Sequence, residues 1–414
     1  MTLYRSLRDE MMAGGAVERE GDEKREPRTS TAILAGIVVL GLLVWLGISN
    51  IWSLALVVGL LISVFLHELG HFVTAGWAGM KRTQFFMGFG PKIWSTHRNG
   101  VEYGVRALPL GAFVRIVGMN NLDPVDPGDE DVAYSSKPYR WRLLVITAGS
   151  IMHIIIAVVL MFTVYVVGGR YQETSRVEVV VVTSDAPAAR AGIGLGDVIT
   201  SIDGVAVTSP TQLRETVTSH RVGDVVTVDY ERDGQAFTTE ATLVDRGDGE
   251  DTAFLGVATD NFGRVKGSVL DTSSHVAGDL WNGMGDTFSG IFTVLNPVNQ
   301  WQQVTNENAD PAKRPTTVVG VTQVAGKIGQ HEGLWGILEV LAAINIFVGL
   351  FNLIPLLPFD GGHAAIATYE RIRSRRGAMY RADIEKMWPV TVVVLAMLMA
   401  LTFTGLYLDI TRPF

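Results

Sequence analysis

The chain contains no cysteine, which excludes disulfides, thiolate nucleophiles and thiolate metal ligands together. Any metal it binds must be held by His, Asp or Glu. Charge is also scarce: Asp, Glu, Lys and Arg make up 18% of the 414 residues, against 48% hydrophobic residues. The scarcity is concentrated. No Asp, Glu, Lys or Arg occurs from Thr29 to Leu66, Leu143 to Val167, Val340 to Phe359 or Trp388 to Leu408. Apolar runs of that length are membrane spans rather than core helices. A basic excess is missing as well, since the net charge is −8, and nothing points to nucleic acid. A secretory leader of the usual kind is absent. Residues 1–28 form a mixed-charge polar stretch ("VEREGDEKREPR") that reads as a disordered cytoplasmic tail over residues 1–30.

What is present organises itself around the bilayer. As one helix, Thr29 to Leu66 would be about 57 Å long against a hydrocarbon core of about 30 Å. A turn in "GISNIW" near Asn50 divides it, predicting an extra transmembrane helix over 31–49 and a second over 51–78. Residues 81–142 carry nine Lys or Arg and 370–387 carry six, whereas the much longer 170–336 holds twelve. The positive-inside rule places the first two stretches in the cytoplasm and 170–336 outside. About five crossings follow, the remaining ones over 141–168, 336–362 and 388–408. The predicted fold class is a polytopic α-helical membrane protein with an extracytoplasmic α+β domain, in the cell membrane.

That outer domain occupies 172–250. "RVEVVVVTSDAPAARAGIGLGDVITSIDGVAV" contains an alternating strand, a short helix after Pro187 and a second strand. A helix over 209–219 and a strand ending at Asp233-Gly234 follow. The order resembles a PDZ domain of the bacterial protease type, which implies a groove that takes a peptide, such as a carboxy-terminus, by strand addition. Within 251–335, "HVAGDLWNGMGDTFSGIFTVL" has the spacing of an amphipathic helix lying on the outer membrane surface or on the PDZ-like domain.

The chemistry sits in "LLISVFLHELGHFVTAGW". His67 and His71, four residues apart, share one face of a helix and can ligate one Zn²⁺, with Glu68 beside them to move a proton. Ionisable groups at membrane depth are costly, so three in one apolar helix indicate employment rather than packing. A third ligand is needed. "NLIPLLPFDGG" supplies a candidate in Asp360, where Pro355 and Pro358 break a helix and glycines allow a bend. Entering from outside, both sites fall toward the cytoplasmic half of the bilayer.

"HELGH" followed far downstream by "NLIPLLPFDGG", with a PDZ-like insert between, resembles the site-2 protease family of intramembrane zinc metalloproteases. The resemblance runs from about Ile51 to the end and includes "FFMGFGPKIWS" and "EYGVRALPLGAFVRIVGM". It is nearest to actinobacterial members that cut membrane-bound anti-sigma factors. It implies Zn²⁺ on His67, His71 and Asp360, Glu68 as general base, and Asn352 holding the substrate backbone. It further implies a membrane-associated β-hairpin within 81–140 that straightens a substrate helix into a strand, and single-pass membrane proteins as substrates. Where the family carries a Gly-Pro…Asn pattern, this chain reads "AGSIMH", with Ser150 and His153 in its place. His153 reads as a satisfied core histidine, with a metal or proton-relay role as the alternative.

A second class fits the same ligands: a non-proteolytic metal-binding scaffold or transporter with a PDZ peptide-binding module. Glu68 separates the two readings, because a storage or transport site has no use for a non-ligating carboxylate beside its first histidine.

Overall fold

The computed structural model describes residues 29–119, 125–247, 249, 251–306, 308–374 and 380–413. The tail expected over 1–30 therefore lies outside the described residues but for its last two positions. The first elements are α1 (Thr29–Ser49), α2 (Ile51–Trp77), β1 (Arg82–Arg98), β2 (Val101–Ile116) and α3 (Tyr139–Thr163). There follow β3 (Arg170–Val182), α4 (Pro187–Arg190), β4 (Val198–Ile202), β5 (Val205–Ala206) and α5 (Pro210–Thr218). Next are β6 (Val225–Arg232), β7 (Gln235–Thr242), β8 (Val244–Asp245), β9 (Ala253–Phe254) and β10 (Val257–Val265). The last are α6 (Val269–Leu295), α7 (Pro297–Thr305), α8 (Val318–Asn352), α9 (Asp360–Arg373) and α10 (Trp388–Thr411). Two units result: Met1–Thr163 with Ser273–Phe414, and Val164–Thr272.

In the first unit, Asn50 separates α1 from α2. Its backbone is extended, and its side-chain oxygen accepts the N–H groups of Trp52 and Ser53 at 3.0 and 3.1 Å, capping α2. Four described helices are long and apolar enough to cross a membrane: α2, α3 with its π-helical extension to Gly168, α8 and α10. The apolar helix over Ile33–Ser49 is shorter. Helix α8 starts at Val318, well before the expected 336, so part of the segment expected as outer loop is helical. Gly333 interrupts it with φ 62° and ψ −145°.

Small residues let α2, α3 and α8 approach closely. A Cβ on Gly329 would lie 2.3 Å from Trp52 Cγ, and one on Gly70 would lie 2.9 Å from the Ala148 carbonyl oxygen. Leu56, Ala325, Ile337 and Leu341 fill the α2–α8 seam. β1 and β2 form a long, repeatedly bulged antiparallel hairpin in which Phe85 faces both Val114 and Tyr103. Phe85 also packs on Phe65 and Phe72 of α2, with ring centroids 5.4 and 5.2 Å away, so the hairpin is pinned beside the HELGH helix. On α6, Trp281, Phe288 and Phe292 are exposed along one face.

The second unit is an antiparallel sheet in the order β10-β3-β4-β6-β7, with β5 pairing to β4. Asp233 and Gly234, both at positive φ, make the two-residue turn between β6 and β7. Alternating Val177 and Val179 and Val226 and Val228, with Ile199 and Ile202 across a register shift in β4, meet Leu213 and Val217 of α5 in its core. The sheet does not end near 250 as the sequence suggested. β10 pairs antiparallel with β3 and forms an edge of the sheet, and Leu255 just before it is in the core.

Candidate metal centre

Helix α2 brings His67 and His71 together on one face. Both are buried, and their Nε2 atoms are 3.2 Å apart. The third donor arrives from the far end of the chain: Asp360, first residue of α9, places Oδ2 3.5 Å from His67 Nε2 and 3.4 Å from His71 Nε2. The bend between α8 and α9 makes this possible. A Cβ on Gly361 would lie 2.2 Å from the Leu353 carbonyl oxygen, and one on Gly362 2.6 Å from Leu356 C, so only glycine permits α9 to begin there.

The donor atoms face inward for identifiable reasons. His71 Nδ1 lies 2.7 Å from the Val145 carbonyl oxygen, which can only accept, so Nδ1 carries the proton and Nε2 turns a lone pair to the cluster. His67 Nδ1 and Asp360 Oδ2 are buried without a hydrogen-bond partner. Three acceptor atoms this close repel one another unless a cation or a shared proton sits among them. Ligands about 2.0–2.1 Å from a tetrahedral metal stand about 3.3–3.4 Å from each other. The observed separations of 3.2, 3.4 and 3.5 Å match that edge length, so the residues fit zinc.

Above the cluster, α3 contributes a bare backbone. A Cβ on Gly149 would lie 2.4 Å from His67 Cε1 and 2.5 Å from His71 Nε2, so the space beside the ligands exists because residue 149 has no side chain. Glu68 stands next to the ligand set without joining it. Its Oε1 is 4.0 Å from His67 Nε2, and the Val114 backbone of β2 lies against its carboxylate. Asn352 closes α8 at the start of the bend, half-buried and outside the three-residue cluster.

Two further histidines surround the site. His153 of α3 is buried, hydrogen-bonded to Asn345, and packed on His67 with ring centroids 4.9 Å apart. The sequence marked it as a core histidine without showing that contact. His363 was not singled out. It lies three residues after Asp360 on α9, near enough for the Asp360 carboxylate to act on it. The i,i+3 spacing in "DGGH" was the available signal.

The model of peptidase family M50 matches residues 55–400. The chain is 33% identical over 392 residues to the zinc metalloprotease Rip1 of Mycobacterium tuberculosis, covering 86% of this chain and 96% of that one. It is 30% identical over 399 residues to Rip1 of Mycolicibacterium smegmatis, with the same coverage. A putative zinc metalloprotease of Mesorhizobium japonicum is 28% identical over 339 residues, 76% of this chain and 88% of that one. Among solved structures, the PDZ domain of an SdrC-like protein from Listeria monocytogenes is similar at 30% identity and a TM-score of 0.19. That match covers 20% of this chain and 87% of that chain. With a family model spanning most of its length and HELGH meeting Asp360 in three dimensions, the chain belongs to peptidase family M50, the site-2 proteases, and is an intramembrane zinc metalloprotease.

Proposed function

We propose that His67, His71 and Asp360 hold the zinc, that Glu68 is the general base, and that the substrate is the membrane segment of a single-pass protein, an anti-sigma factor or a protein like it. The observation that carries the assignment is the convergence of three ligand atoms within 4.8 Å, with a fourth acidic group, Glu68, close by but outside the set. Zinc, when bound, supplies a Lewis acid that polarises water and the scissile carbonyl.

The rest is the work of this chain's side chains. Glu68 takes a proton from the attacking water as its oxygen bonds to the carbonyl carbon. It then delivers that proton to the amide nitrogen as the C–N bond breaks. Asn352, at the mouth of the bend, hydrogen-bonds the substrate backbone. The hairpin β1–β2 presents an edge on which a substrate helix unwinds into a strand, because helical amides are hydrogen-bonded and closed to attack. Its pinning beside α2, with Val114 against Glu68, supports that role.

The same reading puts the basic stretches inside and Val164–Thr272 outside, with α1 as a fifth crossing. The free edge of β10, beside α5, takes a peptide carboxy-terminus and screens substrates for a prior cut. A metal store or transporter would give Glu68 no task. The test is cleavage of a single-pass substrate by the purified protein beside Glu68→Gln. The parent should cut within the membrane segment, while the variant should bind zinc and leave the substrate intact. A variant that cuts as fast as the parent removes Glu68 from the mechanism.

A further inference from the structure

The two histidine ligands are held in different ways. His71 is oriented by its hydrogen bond to the Val145 carbonyl. His67 Nδ1 faces the Gly149 backbone without making a hydrogen bond of that quality. What touches the His67 ring instead is the His153 ring, tilted at 45°, and the bare backbone of Gly149.

His153 is itself fixed. Its Nδ1 lies 2.7 Å from Asn345 Oδ1, and Asn345 Nδ2 donates to the Leu341 carbonyl at 2.8 Å and to Ser63 Oγ at 3.1 Å. A carbonyl only accepts, so the amide cannot be turned over, and His153 must carry its proton on Nδ1. Ser63 Oγ donates to the Gly59 carbonyl at 2.9 Å, which leaves a lone pair for Asn345. Ser63 lies one helical turn before His67 on α2. The connection therefore starts on α2, passes through Asn345 on α8 and His153 on α3, and returns to α2 at the ligand. Asn345, His153 and Ser63 are 1, 2 and 3% exposed. Gly349, one turn beyond Asn345, brings α8 against His153, where an added Cβ would lie 3.1 Å from His153 Cβ.

We propose that His153, backed by Asn345 and Ser63, is the positioning residue of His67. A ring held by a closed polar circuit takes the place of the hydrogen bond that orients His71. Metal-ligating histidines are usually oriented through their second nitrogen, and losing that support typically weakens metal binding about 10–100-fold. Here the support acts through the ring face. The proposal rests on His67 being a zinc ligand.

The experiment measures zinc affinity of the full-length protein by chelator competition, together with the visible spectrum of its Co²⁺ form and the melting temperature without metal. His153→Ala should bind zinc about 10–100-fold more weakly and shift the Co²⁺ bands. His153→Phe, which restores a ring without the Nδ1 proton, should recover part of the loss. Asn345→Ser should fall between His153→Ala and the parent. A purely structural polar lock would lower the metal-free melting temperature and leave zinc affinity and Co²⁺ spectrum as in the parent; that result overturns the proposal. If His153→Ala does not fold, parent-like zinc affinity and spectrum in both His153→Phe and Asn345→Ser overturn it equally. A parent that binds no zinc overturns the metal site itself, and this inference with it.

Discussion

Replacing Gly149 by alanine adds a single methyl group, the smallest change that reaches both proposed histidine ligands. Its Cβ would sit 2.5 Å from His71 Nε2 and 2.6 Å from His67 Nδ1, where real Cβ contacts essentially never fall under 3.0 Å. Neither imidazole is the loose end of a flexible chain. His71 is tied to the Val145 carbonyl and His67 lies against His153, so α3 or the rings must retreat by at least about 0.5 Å. Zinc ligation tolerates about ±0.2 Å in ligand distance. A displacement of about 1 Å at a reacting centre costs about 100-fold in rate. Gly149→Ala, with about half that displacement, should therefore weaken zinc binding about 10–100-fold and lower cleavage at least about 10-fold. Gly290→Ala on α6 is the control, since nothing lies within 4 Å of its added methyl. Zinc content after dialysis against a weak chelator, and cleavage of a membrane-embedded substrate, read the two effects. Gly149→Ala with parent-like zinc retention and rate would refute the cradle.

Other outcomes follow from the same structure. The buried pair Arg142–Glu370 ties α3 to the far end of α9, the helix that begins with Asp360. Glu370→Ala removes the carboxylate partner of a buried guanidinium, leaving it Tyr134, and should cost about 3 kcal/mol, seen as a lower melting temperature in detergent. In the sheet unit, burial works to raise the Asp197 carboxyl, but Arg232 and the Gly194 N–H outweigh it and hold that carboxyl below its ordinary range. Its contribution is complete above the unfolded value of about 3.9 and is lost as pH falls through the lower folded value. Hydrogen exchange over β4 and β6, corrected for intrinsic rates, should rise in the parent only under those acid conditions, and in Asp197→Asn already at neutral pH. Asn352→Ala should lower cleavage while sparing zinc content; loss of zinc would place Asn352 with the ligands.

The chain's local patterns carried much of the reading. Charge-free runs identified the membrane helices, Asn50 marked the break between the first two, and Asp233-Gly234 marked a hairpin turn. The four-residue spacing of His67 and His71 placed both on one face with Glu68 adjacent. These features follow from backbone periodicity and side-chain chemistry within a few residues, and a sequence displays them directly.

Contacts between distant segments required the fold. Asp360 was one acidic candidate until Gly361 and Gly362 let α9 start against the bend and place its carboxylate oxygen 3.5 Å or less from both histidines. β10 looked unconnected to the PDZ-like segment because its pairing with β3 spans most of that unit. The departure from the family pattern drew attention to "AGSIMH", but nothing in that stretch says what Gly149 or His153 touches. Their roles arise only where α2, α3 and α8 cross, because which faces meet is set by the packing of three helices together and not by the periodicity of any one.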